Sequence, residues 1–154
     1  MRRKDREITD KEKIISIISR CHCCRLGLFD GEEVYIVPMN FGFEEEENAF
    51  YFHCAKEGRK IEILSKNPKV AFEMDTNYKL NGGELACDYS ARFQSVMGKG
   101  TVSFVEEVQE KIKALDLIMY QETQKSGWTY GEAMLKEVCI FKLSIEDLSC
   151  KEHL

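Results

Sequence analysis

The chain has 154 residues, of which 44% are hydrophobic and 32% charged, with a formal net charge of −5. That length suits a single domain over residues 1–154 built on one core. The acidic balance argues against a nucleic-acid binder, which needs a basic stripe, and no apolar run approaches the ~18–20 residues of a membrane span.

The opening Met1-Arg2-Arg3-Lys4-Asp5-Arg6-Glu7 is basic, and no apolar signal core follows it. Seven cysteines, an odd number, fit free thiols in a reducing compartment better than a disulfide scaffold. A cytoplasmic location is therefore expected. Thr9-Asp10-Lys11-Glu12 reads as a capping box with Thr9 as the cap, and Ile14, Ile15 and Ile18 carry a helix to about Ser19 or Arg20. Cys21-His22-Cys23-Cys24 holds good zinc ligands but has no second knuckle to complete a site. It is read as a cysteine-rich junction between helix and strand, with no metal.

Residues 25–29 and 34–41 are apolar runs flanking Asp30-Gly31-Glu32, a hairpin signal. Glu44-Glu45-Glu46-Glu47-Asn48 is a solvated turn without the spaced ligands and turn glycine of a calcium loop. Residues 49–54 form an aromatic-rich strand. A short helix fits 58–66, stopped by Asn67-Pro68, and 70–74 is again a strand. Residues 75–90 show weak periodicity and read as a long functional or interface loop. Residues 92–105 read as one bent strand or a pair, with Gly98 and Gly100 marking a bulge or a close approach. A long helix over 106–124 carries Ile112, Leu115, Ile118 and Met119 on one face, and 138–145 is a final strand. This order predicts a mostly antiparallel, barrel-like α+β domain with helices set aside.

Two segments carry the candidate chemistry. Lys56, Arg59 and Lys60 place three cations within five residues around Gly58, at a predicted helix start. A helix N-terminus offers unpaired N–H groups and a positive dipole end, so an anion such as phosphate is favoured there. The bland alternative is a basic helix end on a surface. In Val37-Pro38-Met39-Asn40-Phe41 the proline cannot donate to a ladder, so the strand is at an edge or breaks its pairing. Its free backbone groups suit the polar rim of a planar ring, or simply mark an edge protected from aggregation. His53 lies at a strand end beside the cations. Its pairing with Cys54 as a catalytic couple is geometrically poor, because adjacent strand residues face opposite ways. No P-loop, nucleophile elbow or dinucleotide fingerprint occurs.

Taken together, Arg25-Leu26-Gly27-Leu28, Val37-Pro38-Met39-Asn40-Phe41-Gly42, the run from Phe52-His53-Cys54-Ala55-Lys56 through Glu57-Gly58-Arg59-Lys60, and Ala86-Cys87-Asp88-Tyr89-Ser90 resemble, in that order, the nitroimidazole-resistance (Nim) group of pyridoxamine 5′-phosphate oxidase-like flavoproteins. The basic opening resembles the start of that group too. The resemblance spans about residues 1–148. It implies a six-stranded antiparallel split β-barrel with flanking helices, forming a homodimer with FMN at the subunit interface. It also implies that Lys56, Gly58, Arg59 and Lys60 hold the FMN phosphate and that Val37, Pro38, Met39, Asn40 and Phe41 line the isoalloxazine. His53 and Cys54 would sit by the ribityl chain and phosphate, and Gln94 and Ser95 would reach the flavin of the other subunit. Pyridoxamine phosphate oxidases themselves carry a C-terminal Arg and His for the vitamin. The ending Ser149-Cys150-Lys151-Glu152-His153-Leu154 lacks that segment, so vitamin B6 oxidation is not expected.

The expected function is thus an FMN-dependent oxidoreductase of the nitroimidazole reductase type, with a small-molecule substrate, NAD(P)H or another reductant, and His53 as the candidate catalytic residue. The rivals are an FMN oxidoreductase for another small molecule and a non-catalytic flavin- or haem-binding protein.

Overall fold

The computed structural model describes residues 3–154, so Met1 and Arg2 of the basic opening lie outside the described part. In chain order the elements are β1 (Glu7–Ile8), α1 (Lys11–Ile18), β2 (Cys24–Phe29), β3 (Val34–Met39), β4 (Gly42–Glu44), β5 (Ala49–Cys54), α2 (Arg59–Lys66), β6 (Lys69–Asn81), β7 (Ser90–Val105), α3 (Val108–Thr123), α4 (Glu132–Glu137) and β8 (Cys139–His153). All strand pairs are antiparallel, in the order β3-β2-β6-β7-β8-β5-β4, with β1 added to the end of β8.

This order explains the shape. β3 and β4 stand at opposite ends of the sheet, yet only Asn40 and Phe41 separate them in sequence. The sheet must therefore curl until its two ends meet, and because β3 and β4 do not pair it stays open there. The result is a split barrel. Six long strands make its body, as expected, and the short β1 and β4 raise the count to eight.

Inward positions follow the period-two rule of a strand. Cys24, Leu26 and Leu28 of β2 are buried while their neighbours are less so. The interior is rich in aromatic rings: Phe50 meets Phe41 and Phe72 edge-on, and Phe52 stacks on Phe141 at 5.1 Å between centroids. β5 is buried on both faces from Ala49 to Phe52, because Tyr51 turns outward into a second cluster with Ala114, Leu115, Leu135 and Ile140 beneath α3 and α4. At Gly42 β4 runs against α3 so closely that a Cβ would sit 2.6 Å from the Ile118 nitrogen. The register of β7 against β8 shifts between Lys99 and Gly100, with the extra residue, Glu146, on β8, and Gly98 and Gly100 are where the β8 backbone comes too close for a Cβ.

Four expectations need correction. α1 is capped by Asp10, whose carboxylate accepts from the Lys13 N–H at 2.7 Å, so the cap lies one residue after Thr9. Much of the predicted 75–90 loop is strand: β6 runs to Asn81 and pairs with β7, with an irregularity after Thr76 where Asn77 takes φ 57°. An exposed ribbon needs no buried stripe, so alternation of apolar residues could not announce it. β8 continues past residue 145 to His153 through a ladder with β7 for the same reason. Finally, α4 was not foreseen; six residues are too few to display a helical period.

Candidate functional site

The barrel's opening brings the two candidate segments together. β3 pairs with β2 alone, so its outer edge keeps unpaired backbone groups. After β5 the chain turns at Gly58, whose φ of 122° is a conformation side-chain-bearing residues rarely adopt, and enters α2. Ile63 and Leu64 anchor α2 in the core. The Ile61 and Glu62 N–H groups both bond to the Gly58 carbonyl, leaving those of Arg59 and Lys60 without a partner among the described residues. The helix start therefore faces outward with its donors available.

Lys60 joins the two segments. Its ammonium lies 3.2 Å from the Met39 sulfur of β3, and its charge acts on His53 and Cys54 at the end of β5. Burial, then Lys60, lowers the His53 pKa, so its ring is neutral near pH 7. Burial pushes the Cys54 thiol up to about 11, against the opposing pull of Lys60. Met39 and Lys60 are thus in contact, and His53 and Cys54, adjacent on β5 and facing opposite ways, both lie within reach of the Lys60 charge.

The other predicted residues are placed differently. Arg59 pairs instead with Glu33 and, at 3.3 Å, with Asp30, its guanidinium 4.8 Å over the Tyr35 ring. Those carboxylates raise its pKa, the Glu33 bond most. Lys56 is exposed and makes no ion pair among the described residues; it borders a cleft of about 400 Å³ with Ile61, Ser65, Phe104, Lys111 and Cys139. Val37 packs against the core and Pro38 is exposed, each paired across to β2. Phe41 is wholly buried against Phe50, so its ring belongs to the core and only its backbone remains for a ligand. Asn40 donates to Glu122 of α3 at 3.0 Å.

Gln94 and Ser95 are not brought to the clamp within one chain. Gln94 is 5% exposed on β7, its carbonyl accepting from Arg20 and Asn77 and its amide donating to Glu152. Ser95 beside it has a buried hydroxyl without a hydrogen-bond partner among the described residues, a cost a ligand could relieve. The Cys21–Cys24 run is a helix-to-strand junction: Cys21 and Cys24 are buried, and Cys21 donates to the Ile17 carbonyl. Burial raises the Cys21 thiol to about 12. The Asp30, Glu33 and Tyr35 setting of Arg59 has no sequence signal, since a turn motif does not reveal which helix lies over it. Nor did it show that Cys139 opposes Cys54.

The arrangement fits a phosphate-bearing planar ligand. Among the described residues two lysines lack carboxylate partners, a helix start offers N–H groups, and an unpaired strand edge stands beside them. Among the described residues no helix is long and apolar enough to cross a membrane.

Comparison with known proteins bears on the family and the fold. Residues 10–152 match the family model described as pyridoxamine 5′-phosphate oxidase. A solved structure from Bacteroides thetaiotaomicron, named for 5-nitroimidazole antibiotic resistance, is 37% identical with a TM-score of 0.83, covering 95% of this chain and 86% of its own. The flavocytochrome Anf3 from Azotobacter vinelandii is 18% identical with a TM-score of 0.82, covering 100% of this chain and 72% of its own. A FAD and haem binding protein from Mycobacterium smegmatis is 14% identical with a TM-score of 0.81, covering 96% and 73%. At such identities the last two establish the fold alone. No curated protein sequence matches the chain.

Proposed function

The chain belongs to the pyridoxamine 5′-phosphate oxidase family, and from that premise we propose that it binds FMN and works as an oxidoreductase of the nitroimidazole reductase type. The observation that carries the cofactor assignment is the Lys60–Met39 contact, which brings the cationic helix start and the unpaired β3 edge into one site. The reaction type is supported by the 37% identity to the protein named for 5-nitroimidazole resistance.

In this reading Lys56, Lys60 and the α2 N–H groups hold the phosphate, with Arg59 joining them when it leaves Glu33. The backbone of Val37 to Phe41 meets the polar rim of the ring. Gln94 and Ser95 are assigned to the flavin of a second copy, whose presence completes the site. When bound, FMN supplies the electron transfer, and the protein's task is to bind, orient and exclude water. Exposed Val34, Ile36 and Met97 lie on one outer face with Gly27 and Ala71, a surface suited to that second copy. Neutral His53, within reach of the Lys60 charge, is the candidate proton carrier.

The visible spectrum of purified protein tests the cofactor: a flavin band is expected, and a Soret band alone would favour the haem-binding alternative. Anaerobic bleaching by NAD(P)H, followed by recovery with a 5-nitroimidazole, tests the reaction. Bleaching without recovery would point to another small-molecule substrate. His53→Ala is expected to keep bound flavin and lose turnover about 10²-fold, the lower end for removal of an acid–base group. Full turnover would remove His53 from the chemistry.

A further inference from the structure

Cys54 and Cys139 occupy directly opposed positions on β5 and β8, the last pair of that ladder. Antiparallel partners have Cα atoms about 4.5–5.5 Å apart, inside the range a disulfide requires. Both cysteines are free and only half buried, and their thiols are near enough that each perturbs the other's ionisation. Cys139 borders the solvent-open cleft of about 400 Å³, which gives a small oxidant a path to it. Cys54 lies two residues before Lys56. The pair therefore stands between the barrel and the cationic turn.

We propose that Cys54 and Cys139 are a thiol pair that a peroxide oxidises to a disulfide, and that this cross-link resets the cationic turn. The effect on FMN rests on the function proposed above; the cross-link does not. The Cys139 sulfur attacks one peroxide oxygen, forming S–O as O–O breaks, and the departing hydroxide takes the thiol proton as water. The Cys54 sulfur then attacks the Cys139 sulfur, forming S–S as S–O breaks, and a second water leaves. Two thiols give up two electrons and hydrogen peroxide receives them.

The roles follow from the surroundings. Burial raises both thiols, but Cys139 lies in the field of Lys111 and Lys60, opposed by Glu106, and contact with Cys54 favours its thiolate. Lys60 pulls Cys54 down as well, while contact with Cys139 raises it. Cys139 borders the open cleft and Cys54 does not, so Cys139 is the attacking thiol and Cys54 the resolving one. The other buried cysteines lack this arrangement: Cys24 lies opposite Met39, and Cys150 opposite Ile8 and Val96.

The experiment uses the full chain carrying Cys87→Ser, which removes the exposed thiol that would otherwise join molecules. It is exposed to hydrogen peroxide, alkylated, digested without reductant and mapped by mass. A peptide linking Cys54 to Cys139, abolished in Cys139→Ser, is expected. Both thiols still alkylatable, or Cys139 over-oxidised without linkage, would overturn the cross-link. FMN titration of the oxidised and re-reduced protein should show at least threefold weaker binding when oxidised; equal affinities would overturn the resetting of the turn. Absence of FMN binding in the reduced protein would instead defeat the proposed function, leaving the mass map to decide the cross-link.

Discussion

Two stretches of one continuous segment behave in opposite ways. Phe50 and Phe52 of β5 are fully enclosed by rings from β6, β8 and the Asn40–Phe41 link, whereas His53 to Lys60 just beyond them are mostly exposed and cationic. The first stretch is ordered by packing and depends on shape. The second depends on charge and on a glycine with positive φ, and in the proposed function its remaining partner is the FMN phosphate. The barrel thus acts as a rigid wall from which the turn projects. Damage to the wall should appear as lost stability, and damage to the turn as lost affinity.

The largest expected effect breaks the wall. Phe52→Ala removes a ring with no exposed surface, stacked on Phe141, and should cost about 3–5 kcal/mol in denaturant unfolding. A loss near 1 kcal/mol would mean that the two stretches share their load and that the contrast is overstated. Next, Lys60→Gln should leave the unfolding midpoint nearly unchanged, since Lys60 makes no ion pair among the described residues. A charge-assisted hydrogen bond contributes about 1.5–3 kcal/mol, so FMN binding should weaken roughly ten- to a hundredfold by fluorescence titration. Unchanged binding would place the phosphate elsewhere. A smaller effect belongs to neither stretch and calibrates both: Asp10→Ala deletes the α1 cap and should cost about 1 kcal/mol of stability with no change in FMN affinity.

The same contrast explains what could be read from sequence. The wall was legible because inward residues repeat every two positions and aromatic runs such as 49–54 are bounded by turn residues. The turn was legible because Gly58 ahead of a short apolar stripe stopped by Asn67-Pro68 marks a helix start; its use for phosphate is the proposal. What escaped was pairing between segments distant in sequence. Nothing in 138–154 announces that its first half pairs with β5 while β7 accompanies it nearly to its end, and no local pattern sets Cys139 against Cys54. Phe41 shows a related limit: its place in the motif does not reveal that its side chain fills the join where the barrel's ends meet. Arg59 shows it too, since counting charges cannot tell a free cation from one already engaged.

Arg59 therefore offers the finest test of the boundary between wall and turn. In this structure Asp30 and Glu33 of the β2–β3 hairpin hold its guanidinium, and Tyr35 supports it from below. A phosphate must compete with those carboxylates for the same N–H groups, so each one subtracts from affinity. Glu33→Gln removes one competitor and keeps the side chain's shape. Glu33 is 66% exposed, and exposed ion pairs contribute about 0–1 kcal/mol, so stability should barely move. Affinity for FMN should rise, by at most roughly fivefold, and the gain should shrink as salt screens the remaining charges. A fall in affinity would mean that Glu33 positions Arg59 for the phosphate instead of withholding it. The hairpin would then be part of the site, and the boundary would move from His53 back to β3.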